Sequence, residues 1–266
     1  MRGYRAASRA SRISSRRLLL VISIFLGVLA GGEAVYRRLA ASDVFRLTDL
    51  VVHGNRIVDR REIIARSGLH QGVGLLGFDF EAARQRIEEL AWIETARLDV
   101  AWPSRVEITV REHRVLALVQ QAGRKDGELW YLDARGCSFA PVRPGQEIDY
   151  PVITGPLADE KSGQQDDKIL RDRAVTILRL AARGNAILPV QAISEIHCDR
   201  DRGLILYLVD YPFPIYMGRE DIRTRYFRLI RILGRLYRNR KIAGIREIHM
   251  DYMENKALVA MIGSGR

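Results

Sequence analysis

Fifteen consecutive residues from Leu18 to Gly32 (LLLVISIFLGVLAGG) carry no charge, and continuing through Glu33 to Tyr36 lengthens the stretch to nineteen. That approaches the ~20 residues needed to cross a bilayer as a helix. Beyond Arg38 the pattern changes to short segments that alternate or recur at helical spacing. Val44 to Gly54 is rich in β-branched and apolar residues and ends in the turn pair Gly54-Asn55, so it reads as a strand. Asp59, with Glu62 three residues on, forms a capping signal before Ile63, Ile64 and Ala65, and Gly68 is placed to stop the helix. A stronger helix follows Asp79, where Phe80, Ala83, Ile87 and Leu90 share one stripe among charged neighbours. Two period-two runs, Ala96 to Trp102 and Val106 to Val110, flank Pro103-Ser104 as a hairpin. Strand, two helices and hairpin make a three-stranded sheet with helices on one face, an α+β unit of binding rather than enzyme size.

Downstream the pattern is richer in strands. Leu129 to Leu132 and Cys137 to Ala140 flank the turn Asp133-Ala134-Arg135-Gly136 as a hairpin, and Tyr150 to Gly155 is a short strand closed by glycine. A polar stretch from Asp159 to Asp167 precedes a helix with Leu170, Ala174, Ile177, Leu178 and Ala181 on one face, stopping at Gly184-Asn185. Three strands are expected at Ile193 to Cys198, Leu204 to Val209 and Phe213 to Met217. A helix over about Glu220 to Arg240 carries Ile222, Tyr226, Leu229, Ile230, Leu233 and Leu236 on one stripe and Arg223, Arg225, Arg228, Arg231, Arg235 and Arg238 elsewhere. Such a basic amphipathic helix could meet nucleic acid or anionic lipid. Packing on a sheet with the basic face in solvent is the simpler account. Two last strands, Ile245 to Tyr252 and Lys256 to Ile262, flank Met253-Glu254-Asn255, and nothing later in the sequence is available to cover the far edge of the second. A bare apolar edge is an aggregation hazard unless a partner strand pairs with it, which points to β-augmentation through the backbone of Lys256 to Ile262.

The net charge of +11 suggests an anionic partner until its distribution is examined. Eight arginines and one glutamate in the first 38 residues hold +7 of it, leaving +4 for the other 228. An arginine excess before the apolar run places that end in the cytoplasm and the body across the membrane. Three other readings of the segment stay open. Val28-Leu29-Ala30 resembles a signal-peptidase site, Arg16-Arg17 a twin-arginine signal, and the Arg- and Ser-rich start an organelle transit peptide. The length allows about two small domains and excludes a large multi-domain enzyme.

Catalytic patterns are lacking. Gly72-Val73-Gly74-Leu75-Leu76-Gly77 fits GxGxxG, but a helix rather than a buried strand precedes it, so it reads as a loop in which Leu75, Leu76 and Phe78 plug the core. No GxSxG, HExxH or phosphate-loop motif occurs, and the five histidines are scattered singly. His197, Cys198 and Asp199 alternate faces on a strand and cannot ligate one metal together. Cys137 and Cys198 either pair or remain separate thiols.

Several of these segments together resemble bacterial cell-division proteins of the FtsQ/DivIB family. They are Phe45 with Val51-Val52-His53-Gly54-Asn55, Gly74-Leu75-Leu76-Gly77-Phe78-Asp79, Ala91-Trp92-Ile93-Glu94, Ala96 to Pro103, Arg111-Glu112 and Pro151-Val152-Ile153-Thr154-Gly155. The resemblance runs over about residues 16 to 262. Val115, where the family usually has proline, departs from it, as does a final strand without the aromatic that some members carry. It implies a basic cytoplasmic tail (1–17), a transmembrane helix (18–38), a POTRA-like β-α-α-β-β domain (44–113), a β-rich mixed domain with an antiparallel sheet and packed helices (114–262) and a short tail (263–266). The implied role is a septum-forming scaffold of the inner membrane, with the C-terminal domains periplasmic. FtsB/FtsL-like division proteins would bind at Tyr252, Lys256, Ala257, Leu258, Val259, Ala260 and Met261. It implies no enzyme activity, cofactor, metal, nucleic acid or small-molecule substrate. POTRA-like units also serve polypeptide transport, so a periplasmic transport or chaperone module is the alternative, and a cleaved periplasmic enzyme is a third.

Overall fold

The computed structural model describes residues 15–40, 42–120, 128–146, 148–155, 165–253 and 256–262. The basic residues 1–14, the polar stretch 159–164 and the tail 263–266 lie outside them. The chain divides into two compact units, 1–111 and 112–266.

The first unit begins with a 26-residue helix, α1 (Ser15–Ala40), which contains the expected segment 18–38. Its exposed apolar side chains, among them Leu19, Ile22, Phe25 and Val28, point around the whole circumference. Among the described residues, no helix is long and apolar enough to cross a membrane, so a transmembrane role for 18–38 is not established by the structure. The strand expected from Val44 is shorter: β1 spans Asp49–His53. Asp43–Phe45 instead forms a 3-10 turn, because the Ser42 hydroxyl accepts from the Val44 N–H and the Phe45 carbonyl accepts from Leu75.

Helix α2 (Arg60–Ser67) is capped by Asp59 and closed by Gly68 in the left-handed conformation. Asp59 accepts from the Arg61 N–H. Helix α3 (Phe80–Glu88) is capped by Asp79 through the Ala82 N–H and buries Ala83 and Ile87 completely. On its outer side Arg84 pairs with both Glu81 and Glu88, and the Arg84 bond, with a second from Gln85, holds the Glu81 carboxyl down at about 2. Strands β2 (Ile93–Ala101) and β3 (Arg105–Glu112) form the hairpin. The sheet order is β1-β3-β2, with β1 parallel to β3. The glycine-rich segment is a loop, as its sequence context requires. Leu75 enters the core, whereas Leu76 remains half-exposed and Phe78 packs at the margin against Phe80.

The second unit is built on one nine-stranded sheet. Its strands are β4 (Val115–Gln120), β5 (Leu129–Asp133), β6 (Ser138–Pro141), β7 (Val152–Thr154), β8 (Ile193–Asp199), β9 (Gly203–Leu208), β10 (Ile215–Gly218), β11 (Ile245–Met253) and β12 (Lys256–Met261). They lie in the order β12-β11-β10-β9-β8-β7-β4-β5-β6. The sheet is mixed, which corrects the antiparallel expectation: β4 with β7, β7 with β8 and β10 with β11 run parallel. Parallel neighbours need a long crossover. Helix α4 (Gln165–Ala181) provides it between β7 and β8, and α5 (Ile222–Arg238) provides it between β10 and β11. Strand β4 was not anticipated. It joins β5 in a hairpin and carries a run of four buried residues, Leu116 to Val119.

Register explains the core. Val119, Ile153, Ile196, Leu206, Ile215, Ile248 and Val259 stand opposite one another strand by strand from β4 to β12. The first six are essentially inaccessible to solvent and lie under α4 and α5. Those helices contribute Leu170, Ala174, Leu178, Tyr226, Leu229 and Leu233. The Tyr226 hydroxyl is satisfied by the Leu188 carbonyl at 3.2 Å.

Candidate functional site

The apolar row ends at Val259 on the outermost strand. Every earlier member has a neighbour on both sides, whereas Val259 has only Ile248. Val259 and Ala257 are half-buried against the core, and Leu258 points to the other face. Exposed apolar side chains gather along this edge: Tyr252 (54%), Leu258 (43%) and Met261 (52%), with Met253 and Ile262 beside them. The opposite edge of the sheet is treated differently, since β6 has four residues and ends in Pro141. Short strands and proline are the usual devices that blunt an edge. Strand β12 has only Lys256 at its start.

The direction of its backbone groups follows from one bond. Ile262 donates its N–H to the Gly244 carbonyl at 2.8 Å, on the β11 side. Groups two residues apart on a strand point the same way, so the N–H groups of Leu258 and Ala260 also face β11. Those of Ala257, Val259 and Met261 face outward. The register irregularities in this pair place the extra residues on β11 and leave the alternation of β12 from Leu258 to Met261 intact.

The sheet face away from the helices carries a second row: Thr154, His197, Ile205, Tyr216, His249 and Leu258. Thr154 contacts the His197 ring at 2.8 Å and donates to Glu195. The Tyr216 and His249 rings stack at 4.4 Å, and the Arg202 guanidinium lies 5.9 Å from the Tyr216 ring centre. Glu247 and Asp251 flank His249 at 3.6 and 3.7 Å. This row reaches the same edge on the opposite face from Val259.

All seven residues expected from the sequence lie on β11 or β12. Tyr252 is on the free end of β11 and the other six make up β12. Ile262 lies in the edge segment read from the sequence, whereas Met253 and the row through Tyr216 and His249 are additional to that reading. Alternation marks Met253 and Ile262 as apolar neighbours of the edge, but Tyr216 becomes adjacent to His249 only through the parallel crossover.

Elsewhere several polar groups serve the fold. The Asp133 carboxylate is buried, which opposes its charge, yet it lies below the usual carboxylate range. The Cys137 and Arg135 N–H groups bond to it at 2.9 and 2.8 Å, with further help from His113 and the Arg135 side chain. His113 stacks on Phe139 at 4.5 Å. Asp167, at the start of α4, is 1% exposed and is held by two bonds from Arg200, at 3.0 and 2.9 Å. Neither Cys137 nor Cys198 is in a disulfide. Burial, with the nearby Asp167 charge, pushes the Cys198 thiol up to about 12, which makes it inert. His197 and Cys198 point to opposite faces. No group of three or more His, Cys, Asp or Glu placed to hold a metal occurs among the described residues.

The signature described as "POTRA domain, FtsQ-type" matches residues 45–113, and that described as "Cell division protein FtsQ/DivIB, C-terminal" matches residues 117–252. The second match stops before β12. "Cell division protein FtsQ" of Syntrophotalea carbinolica is 30% identical over 226 residues, 84% of this chain and 74% of that protein. The protein of the same name from Geotalea daltonii is 27% identical over 234 residues, 87% of this chain and 82% of its own length. That from Anaeromyxobacter sp. strain K is 29% identical over 262 residues, covering 97% and 86%.

Proposed function

The chain belongs to the FtsQ/DivIB family of cell division proteins, and on that premise we propose that it is a divisome scaffold that works by recruitment rather than chemistry. Strand β12 captures an extended segment of an FtsB/FtsL-like division protein by β-augmentation, with Tyr252, Lys256, Ala257, Leu258, Val259, Ala260 and Met261 forming the contact. The observation that carries this reading is the apolar row that ends at Val259 on an unblunted edge. A partner strand would extend that row by one position and satisfy the outward N–H groups of Ala257, Val259 and Met261. The matched signatures name division proteins rather than transport machinery.

In this reading α1 is a single-pass anchor of the inner membrane, with its N-terminus cytoplasmic and both folded units periplasmic. Support comes from the sequence: fifteen uncharged residues preceded by six arginines and no acid. The domain scheme follows, with a tail over 1–17, a span over 18–38, a POTRA-like domain over 44–113, a β-domain over 114–262 and a tail over 263–266. The test is detergent co-purification of the intact chain from its host. FtsB/FtsL-like proteins are expected in the eluate, and their absence from an eluate containing folded chain would refute the scaffold role.

A further inference from the structure

We propose that the end of the first unit bearing Trp102, Phe45 and Val44 docks into the headgroup layer of the membrane; this rests on reading α1 as the anchor. Trp102 sits at the tip of the β2–β3 hairpin and is 55% exposed, and Val44 is 58% exposed. Neither belongs to the core of the unit. The Trp102 ring meets Phe45 edge to face, with centres 6.0 Å apart. The exposed indole on Phe45, with Val44 exposed next to Phe45 in sequence, leaves apolar surface in water. It suits a membrane interface, where the ring is buried and its N–H reaches the polar layer.

Connectivity identifies the occupant. From Leu18 to Tyr36, α1 rises about 28 Å at 1.5 Å per residue, close to the ~30 Å hydrocarbon thickness. Ala40 then lies about 6 Å further out, among the headgroups. Phe45 is five residues later, at most about 17 Å away even if that link were extended. The link is in fact turned back on itself. Ser42 donates to the Leu39 carbonyl at 3.0 Å, and Phe45 donates to that of Ser42 at 3.4 Å. The Phe45 carbonyl accepts from Leu75, and Leu47 donates to Val73, both at 2.8 Å, which fastens this turn to the folded unit. Strands β1 and β3 start at this end in register, Asp49 opposite Arg105, and Thr48 donates to the Ser104 carbonyl at 2.8 Å. The hairpin tip, the 3-10 turn and the end of the anchor are therefore at one end of the sheet.

Most of the charges at this end are paired, Arg37 with Glu33 at 2.8 Å among them, and Arg38 adds one positive charge. Arg46 pairs with Asp43 at 2.8 Å and Arg105 with Asp49 at 2.7 Å. Apolar and aromatic burial, rather than attraction to anionic lipid, therefore drives the docking, and zwitterionic lipid suffices.

The test reconstitutes the full chain into phosphatidylcholine vesicles brominated at the glycerol end of the acyl chains, next to the headgroup layer, and into unbrominated controls. Alkaline carbonate extraction checks α1 separately. The chain has three tryptophans, Trp92, Trp102 and Trp130. Bromine is expected to remove up to about a third of the emission, one indole of three, and Trp102→Phe should abolish that loss. A Trp92→Phe/Trp130→Phe chain, with Trp102 alone, should show nearly all its emission quenched. Vesicle-embedded chain whose quenching is unchanged by Trp102→Phe, or whose lone Trp102 emits unquenched, would overturn the docking and leave the anchor intact. Chain released by carbonate would overturn the anchor reading and the docking with it.

Discussion

Proline substitutions at two adjacent positions of β12 separate its role inside the sheet from its role at the edge. The Leu258 N–H faces β11. Proline there removes a ladder bond and strands a partner acceptor, at about 2–3 kcal/mol of stability. The Val259 N–H faces outward, so proline there breaks no bond within the unit. It loses only part of the packing of a half-buried valine, about 1 kcal/mol. A bound strand reverses the order. Val259→Pro removes a hydrogen bond to the partner, leaves the partner's acceptor unpaired and puts a ring in its path. A loss of about 1.5–3 kcal/mol corresponds to a roughly 10- to 150-fold weaker Kd. Urea unfolding followed by circular dichroism measures the first quantity, and titration of the detergent-purified chain with a labelled FtsB/FtsL-like protein measures the second. Val259→Pro binding within threefold of wild type, with the fold intact, would refute β-augmentation. A larger stability loss for Val259→Pro than for Leu258→Pro would refute the assignment of which groups face outward.

Other substitutions test the framework that presents the edge. At Gly155 the backbone has φ +109° and an added Cβ would lie 2.1 Å from the Cys198 carbonyl oxygen, so Gly155→Ala should cost at least about 3 kcal/mol in thermal unfolding; a loss below 1 kcal/mol would contradict the geometry. Asp133 is held below the ordinary carboxylate range in the folded chain, so its contribution is present above the unfolded value of about 3.9 and disappears as pH falls through the lower folded value. Asp133→Asn should flatten the stability profile below about pH 4, and parallel wild-type and variant profiles would exclude this role. Arg200→Met removes two bonds to the buried Asp167 carboxylate and should lower the melting temperature by a few degrees. A double variant with Asp167→Leu should regain more than half of that loss, and additive losses in a double-mutant cycle would show that the pair is not coupled.

Much of the first unit is legible because its signals are local. Asp59, Gly68 and Asp79 cap the helices they precede or end, and the alternation from Ala96 to Val110 marks the hairpin. The start of β1 was misread because Val44 and Phe45 have strand-forming composition while the Phe45 carbonyl is taken by the glycine-rich loop, a tertiary bond. Two of the family-like segments carry a glycine just after the strand for one physical reason. Gly54 and Gly155 each follow a parallel strand, and a Cβ at either would lie 2.0 or 2.1 Å from a carbonyl oxygen of the neighbouring strand, at Val110 or Cys198. A turn preference suggests glycine at these places; the close approach requires it.

The second unit was legible as strands and helices but not as a sheet, because a hairpin declares its pairing in sequence and a crossover does not. The final hairpin of β11 and β12 could be read directly. That β12 lies outermost depends on α5, which returns the chain so that β11 pairs with β10 in parallel and the hairpin is carried outward from the sheet. The same crossover puts Tyr216 against His249 on the open face. The last strand from Lys256 is readable from chain order and Tyr252 enters by the family resemblance, while the side chains behind them on the next strand come into view only with the register.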